Sequence, residues 1–359
     1  MASSAETHPL RPADEEIDEN YAYAIQLTMG VSLPMALQTA VELKVFEIIA
    51  NSGPDSKLSA AEIAAKMADI RNPDAPKMLD RILRLLASHN VIGCSLNGLE
   101  RLYSLKPVSY YFVPNQDGVS MGPLMALIQN KALLDSWTKL KDAIVEGGDP
   151  FEKFHGVHFY EYASLNPSFN QVMNTAMFHR TNLVIGKVLE TYKGFEELNQ
   201  LVDVGGGIGH TLKAITSKYP HIKAINFDLP HVVQHGLIIP GVEHVGGDMF
   251  ESVPKGNAMF IKSVVHNFED EQCLKMLKNC YKALPDNGKV IIMEAVLPDM
   301  PESSISARPD FHIDLQLMTI FEGVDRTKHE FLALATAAGF RGIRFICYVC
   351  NYWIMEFFK

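Results

Sequence analysis

The stretch that most constrains this chain is LVDVGGGIGH, Leu201 to His210. Leu201, Val202 and Val204 form a short apolar run that predicts a buried strand, and Thr211 to Tyr219 predicts a helix. Between them the glycines at 205, 207 and 209 allow a sharp turn and a close approach of backbone to a ligand at the helix N-terminus. The next apolar strand, AINFD (224–228), ends in an acid at the distance where nucleotide-binding folds hold a ribose diol. A dinucleotide fingerprint needs its third glycine one place later, where this chain has His210. The spacing therefore argues for an adenosine ligand without a pyrophosphate. The plain alternative is a strand–helix turn that merely needs glycine.

From residue 200 onward strands alternate with helices, which predicts an α/β fold with a doubly wound parallel sheet. Strands are expected near 200–204, 223–228, 242–246, 258–264 and 289–294, with a final pair within 341–357. The helix over 270–284 turns Cys273, Leu274, Leu277, Cys280, Tyr281 and Leu284 inward, and Pro285 to Gly288 stops it. Thr327 with Glu330 caps the last helix and Gly339 closes it. In such sheets ligands bind beyond the carboxyl ends of the strands. That rule selects Gly205, Asp228, Asp248, Met249, His266 and Glu294. Asp228 suits a ribose diol, or else caps the helix that starts at Leu229-Pro230; Asp248 and Met249 suit an adenine edge and face, or Met249 is plain core. His266 closes the apolar strand MFIKSVVHNF, and an imidazole exchanges a proton near neutral pH. Glu294 and Asp325 are the acids that could reach it and fix its tautomer.

At 359 residues two domains are expected. Residues 1–20 are polar and acidic and read as a disordered tail. Residues 21–115 read as helices over Tyr21–Met29, Leu33–Ile49, a capped helix from Ser59 and another over 74–94, with Met78, Ile82, Leu85 and Leu86 on one stripe; a hairpin over 101–112 then completes a winged-helix pattern. The bases on its second helix, Lys77, Arg81 and Arg84, are answered by Asp74 and Asp80. With a net charge of −10 and no run of bases, a nucleic-acid partner is not expected. Residues 116–195 are helical and rich in Met121, Met125, Trp137, Phe159, Phe169, Met173, Met177 and Phe178. Such residues serve as core or as the wall of a site for a flat aromatic ligand. No apolar run reaches membrane-spanning length, and the chain reads as cytosolic. The five scattered cysteines suggest neither a disulfide framework nor a metal site, and Cys347 and Cys350 are expected to point apart.

LVDVGGGIGH, INFDLPHVV, GVEHVGGDMF, LKNCYKALPDNGKV and NYWIMEFF together resemble the plant small-molecule methyltransferases of the caffeic acid O-methyltransferase type, from about Tyr21 to the C-terminus. The resemblance implies a Rossmann-like catalytic domain over 116–359 behind a winged-helix-like dimerisation domain over 21–115, and hence a homodimer. It also implies S-adenosyl-L-methionine as methyl donor, S-adenosyl-L-homocysteine as product, and no metal. By the same resemblance Gly205, Asp228, Leu229, Asp248, Met249 and Lys262 hold the cofactor. His266 is then the base, supported by Glu294 and by Asp325, which stands where the family has glutamate. The substrate residues would be Ile128, Phe159, Phe169, Met173, Met177, Arg180, Asn267, Leu317 and Phe321. Asn267 and Phe268 replace the family's usual aspartate and tryptophan, and Arg180 replaces a frequent histidine. The more apolar pocket that results favours a flavonoid, a coumarin or another flat phenylpropanoid over caffeic acid itself. The stretch EHVGGDMFESVPKG and the C-terminus also resemble anthranilate N-methyltransferases, which makes Arg180 a candidate carboxylate partner. Glu294 counts against that reading.

Overall fold

The computed structural model describes residues 14–359 except Asp69 and Glu322. The chain divides into two compact units, Met1–Asn115 and Gln116–Lys359.

The first unit runs α1 (Asp14–Thr28), α2 (Ser32–Glu42), α3 (Val45–Ala50), β1 (Leu58–Ser59), α4 (Ala60–Ala65), α5 (Ala75–Ser88), β2 (Ile92–Asn97) and β3 (Glu100–Leu105). Its strands pair antiparallel in the order β1-β3-β2, beside helices α4 and α5, as a winged-helix pattern requires. Ser59 and Glu62 form the expected reciprocal cap at the start of α4. Phe46, Ile63, Leu83, Leu86, Ile92 and Tyr103 fill the core.

Four local expectations are corrected. Most of the expected tail lies outside the described residues, but residues 14–20 belong to α1, where no glycine or proline interrupts a helix before Gly30. The helix expected over Leu33–Ile49 breaks at Lys44, which sits at φ 55° and starts a new helix. The hairpin lies over 92–105 rather than 101–112, because Gly98-Leu99 supplies a tight turn with Gly98 at φ 61°, whereas Pro107 opens a short 3-10 turn instead. On α5 the buried stripe is Leu79, Leu83 and Leu86, and Met78 stays 57% exposed.

The second unit begins with α6 (Gly122–Ile128), α7 (Lys131–Ser136), α8 (Leu140–Glu146), α9 (Pro150–His155), α10 (Phe159–Leu165) and the long α11 (Pro167–Thr191). Then come β4 (Gln200–Val204), α12 (His210–Lys218), β5 (Lys223–Asp228), α13 (Pro230–Val233), β6 (Val242–Gly246) and β7 (Ala258–Lys262). The chain closes with α14 (Asp270–Ala283), β8 (Lys289–Glu294), β9 (Val296–Leu297), α15 (Arg308–Phe321), β10 (Arg326–Thr327), α16 (Lys328–Ala338), β11 (Gly342–Val349) and β12 (Tyr352–Phe358).

A seven-stranded sheet runs in the order β11-β12-β8-β7-β4-β5-β6. Strands β4 to β8 are parallel, while β12 and β11 add an antiparallel edge. Alternation along each strand divides the core. Val202, Val204, Val290 and Ile292 pack with α14 and α16 on one face; Leu201, Ile291 and Met293 pack with α11 and α12 on the other. From β4 the chain moves outward through β5 and β6, then crosses to β7 on the opposite side. The crevice at such a reversal is where an open α/β sheet takes its ligand. At the far edge Cys350 and Asn351 form a two-residue turn at φ 50° and 63°, which leaves Cys350 exposed and both cysteines free.

Candidate active site

The glycine loop is shaped by what cannot fit under it. A Cβ on Gly206 would collide with Asn226 Oδ1 and come within 2.7 Å of Asp203 Oδ2. Gly207, at φ 60°, would meet nothing, so the outer side of the loop is open. Asp228 braces the loop from β5: Oδ2 accepts the Gly207 N–H at 2.8 Å and Oδ1 accepts the Leu229 N–H at 2.7 Å. Each carboxylate oxygen keeps a further lone pair for a ligand. At the end of β6, Asp248 Oδ1 accepts the Phe250 N–H at 2.8 Å, and the Met249 carbonyl accepts the Asn279 amide at 3.0 Å. Lys262, at the end of β7, reaches Thr181 Oγ1 at 3.4 Å. Burial, and then the charge of Arg180, lower its pKa, against a smaller pull from Asp203. Asp203 itself is buried in β4 with Oδ2 lacking a partner among the described residues, and burial pushes it up to about 7.

His266 stands on a 3-10 turn, Val265–Asn267, and not at a strand end: β7 stops at Lys262, and Ser263 turns the chain at φ 54°. A non-glycine residue in that conformation is uncommon and often marks a functional site. Both acids approach the same ring nitrogen. Glu294 Oε2 lies 2.9 Å and Asp325 Oδ1 lies 3.8 Å from His266 Nδ1. The other oxygen of Glu294 accepts the N–H groups of Val264 and Val265 at 2.7 and 2.8 Å. Burial opposes the charge on Glu294, but His266 and those two backbone donors hold its pKa below the ordinary value. Asp325 has no such donors: both its oxygens are buried without a hydrogen bond among the described residues, and burial pushes it up to about 7.

The sign of that difference is testable. Between its ordinary value and about 7 the folded Asp325 holds a proton that the unfolded chain releases, so stability falls as pH rises through that window. Asp325→Asn is expected to melt about 3 °C or more above the parent at pH 8, the gap closing toward pH 4. Thermal melts across that range check it; an equal gap at all pH values would contradict it.

Of the expected substrate residues, Phe159, Phe169, Ile128, Met173 and Phe321 gather in one cluster. Phe159 meets Phe169 edge-on at 5.6 Å and Phe321 at 5.7 Å. Met177 faces outward at 39% exposure, and Leu317 is buried on α15 outside that cluster. Asn267 turns its amide back to the Ser263 carbonyl at 3.5 Å. The Arg180 guanidinium stacks over the Tyr352 ring at 5.3 Å, close enough to Asp325 to pull its pKa down.

Four residues stand at the site that no sequence pattern marks as site residues. Tyr160 lies parallel to Phe321 with centroids 5.9 Å apart; Tyr352 carries Arg180; Thr181 receives Lys262; Asp314 accepts the Asp325 N–H at 3.0 Å. The first three depend on contacts between elements far apart in the chain, and Asp314 on one across the turn after its own helix.

Residues 137–341 match the O-methyltransferase domain model, and residues 25–115 match the O-methyltransferase dimerisation domain. The chain belongs to the O-methyltransferase family. This methyltransferase is 54% identical to an anthranilate N-methyltransferase from Ruta graveolens, with all of both chains covered. It is 49% identical to an esculetin O-methyltransferase from Kitagawia praeruptora, with 98% of each covered. The solved structure of human N-acetylserotonin methyltransferase in complex with S-adenosylmethionine superposes with a TM-score of 0.76 at 21% identity, covering 100% of this chain and 99% of that one. That last likeness is one of fold. The methyltransferase is therefore an S-adenosylmethionine-dependent enzyme of the plant small-molecule type, as its motifs implied.

Proposed function

We propose that this enzyme methylates a phenolic hydroxyl of a flat plant aromatic (a flavonoid, coumarin or phenylpropanoid) as a cytosolic homodimer, with His266 as general base. When bound, S-adenosylmethionine supplies a methyl group on a positively charged sulfur. The loop fits such a ligand: its outer side is open at Gly207, and the buried Asp203 Oδ2 nearby has no partner among the described residues. Asp228 would hold the ribose, Asp248 and Met249 the adenine, with Gly205, Leu229 and Lys262 completing the cradle.

The observation that carries the reading is the 2.9 Å pairing of His266 Nδ1 with a Glu294 fixed by two backbone donors. That acid orients the ring with its N–H toward Glu294, which leaves Nε2 to take the phenol proton. The imidazolium so formed is held by Glu294 and by Asp325 behind it. A phenol, with pKa about 10, is a poor nucleophile until deprotonated, whereas an aromatic amine already offers a lone pair. The same three side chains are the place among the described residues where a cation could sit. The Nδ1–Oε2 contact at 2.9 Å is an ion-pair distance, and the proposed chemistry uses no metal.

The second reading is N-methylation of an aromatic amine such as anthranilate. Identity of 54% to an anthranilate N-methyltransferase favours it, as does Arg180 as a carboxylate partner. Purified enzyme given labelled cofactor and a panel of flavonoids, hydroxycoumarins, phenylpropanoids and anthranilate separates the two. Turnover of phenols is expected; turnover of anthranilate alone refutes the first reading.

The homodimer rests on the dimerisation-domain match and on α1, where Tyr21 and Leu27 are 68% and 62% exposed. Large apolar side chains left in the open mark an interaction surface. Leu27→Asp is expected to shift the enzyme from dimer to monomer by light scattering at micromolar concentration. A parent enzyme that is already monomeric would overturn the proposal.

A further inference from the structure

Arg326 is a guanidinium only 2% exposed, and its donors converge on the turn that carries His266. Nη1 donates to the Val265 carbonyl at 3.0 Å, and Nη2 donates to the Phe268 carbonyl at 2.8 Å. Nε donates to Asp270 Oδ1 at 2.9 Å, at the start of the helix that follows. The His266 carbonyl is taken by the Val324 N–H at 2.9 Å. Gly323 permits that approach, since a Cβ there would stand 2.6 Å from the same carbonyl oxygen. The backbone of Arg326 pairs with Val296, just past Glu294. Residues 323–326 thus touch the base turn, adjoin the strand of its first acid, and include its second.

We propose that Arg326 and Gly323 are positioning residues that clamp the Val265–Phe268 backbone and so set the ring of His266 against Glu294 and Asp325. This rests on His266 being the base. A planar fork aimed at separate carbonyls fixes an orientation that a single ammonium cannot reproduce. Neither residue touches substrate or cofactor in this role; both act on the rate through the angle of the imidazole.

The test uses full-length Arg326→Lys and Gly323→Ala, which disturb the turn from different sides, with His266→Gln alongside. In both clamp variants kcat is expected to fall about 10- to 100-fold, since misplacement by an ångström costs about that much. KM for the acceptor and Kd for S-adenosylmethionine should stay within about two-fold, because the cofactor loop is untouched. Normal kcat in both variants overturns the clamp, and so does an equal loss of cofactor affinity. Loss of cooperative melting in both also overturns it, since the segment would then serve the fold and not the turn. If His266→Gln keeps its rate, it is the base assignment that fails. If His266→Gln is inactive while both clamp variants are normal, only the positioning role fails.

Discussion

His266→Gln is expected to lower phenol methylation by about 10²- to 10⁴-fold, the usual contribution of a positioned general base. Glutamine keeps a polar group facing Glu294 but has no nitrogen that can take up a proton at neutral pH. Its cost should therefore fall on kcat. The proposed cofactor residues Gly205, Asp228 and Asp248 stand at or just past the ends of other strands, so Kd for S-adenosylmethionine should move by less than about two-fold. Steady-state rates and calorimetric titration check the two halves separately. A mutant that keeps most of its rate would mean that the acceptor arrives without needing deprotonation.

The second large effect is expected at Asp228. Its two oxygens hold the Gly207 and Leu229 N–H groups at 2.8 and 2.7 Å, so it shapes the loop before any ligand arrives. Hydrogen bonds to a charged acceptor are each worth about 1.5–3 kcal/mol. Asp228→Ala removes both, together with the partner proposed for the ribose. Kd for S-adenosylmethionine should rise about 100-fold or more, at about 1.4 kcal/mol for each factor of ten. The contrast with His266→Gln is diagnostic: one variant loses binding and the other loses chemistry. An Asp228→Ala enzyme with unchanged affinity would mean that the acid serves only the turn.

The second unit was legible from sequence because its signals are local. The strands 200–204, 223–228, 242–246 and 289–294 lie where their apolar runs begin and end, and the Thr327–Glu330 cap forms as the pattern required. The proposed cofactor rim rests on one rule about strand ends, applied to Gly205, Asp228 and Asp248. Local signals failed where conformation overrode pattern. Ser263 at φ 54° ends β7 early and lifts His266 onto a separate turn, and nothing in SVVHNF marks that bend. The aromatic and methionine stripe was likewise ambiguous. Phe159 and Phe169 are 5% and 3% exposed and pack as core, while Met177 faces outward. A stripe records which residues avoid water, and it does not record which of them face a ligand. Arg326 was invisible for a different reason: its partners Val265, Phe268 and Asp270 lie more than fifty residues away. In the first unit, Lys44 in a left-handed conformation split a helix that the apolar spacing alone would have run on.

His266, held by Glu294, is proposed to make this enzyme a methylator of oxygen. The most direct measurement offers both acceptors on one ring: a phenol with an adjacent aromatic amine, incubated with methyl-labelled cofactor and wild-type enzyme, with the product located by fragmentation mass spectrometry. The label is expected on oxygen, with that product lost in His266→Gln. Label on nitrogen, at a rate that His266→Gln leaves unchanged, would contradict the account.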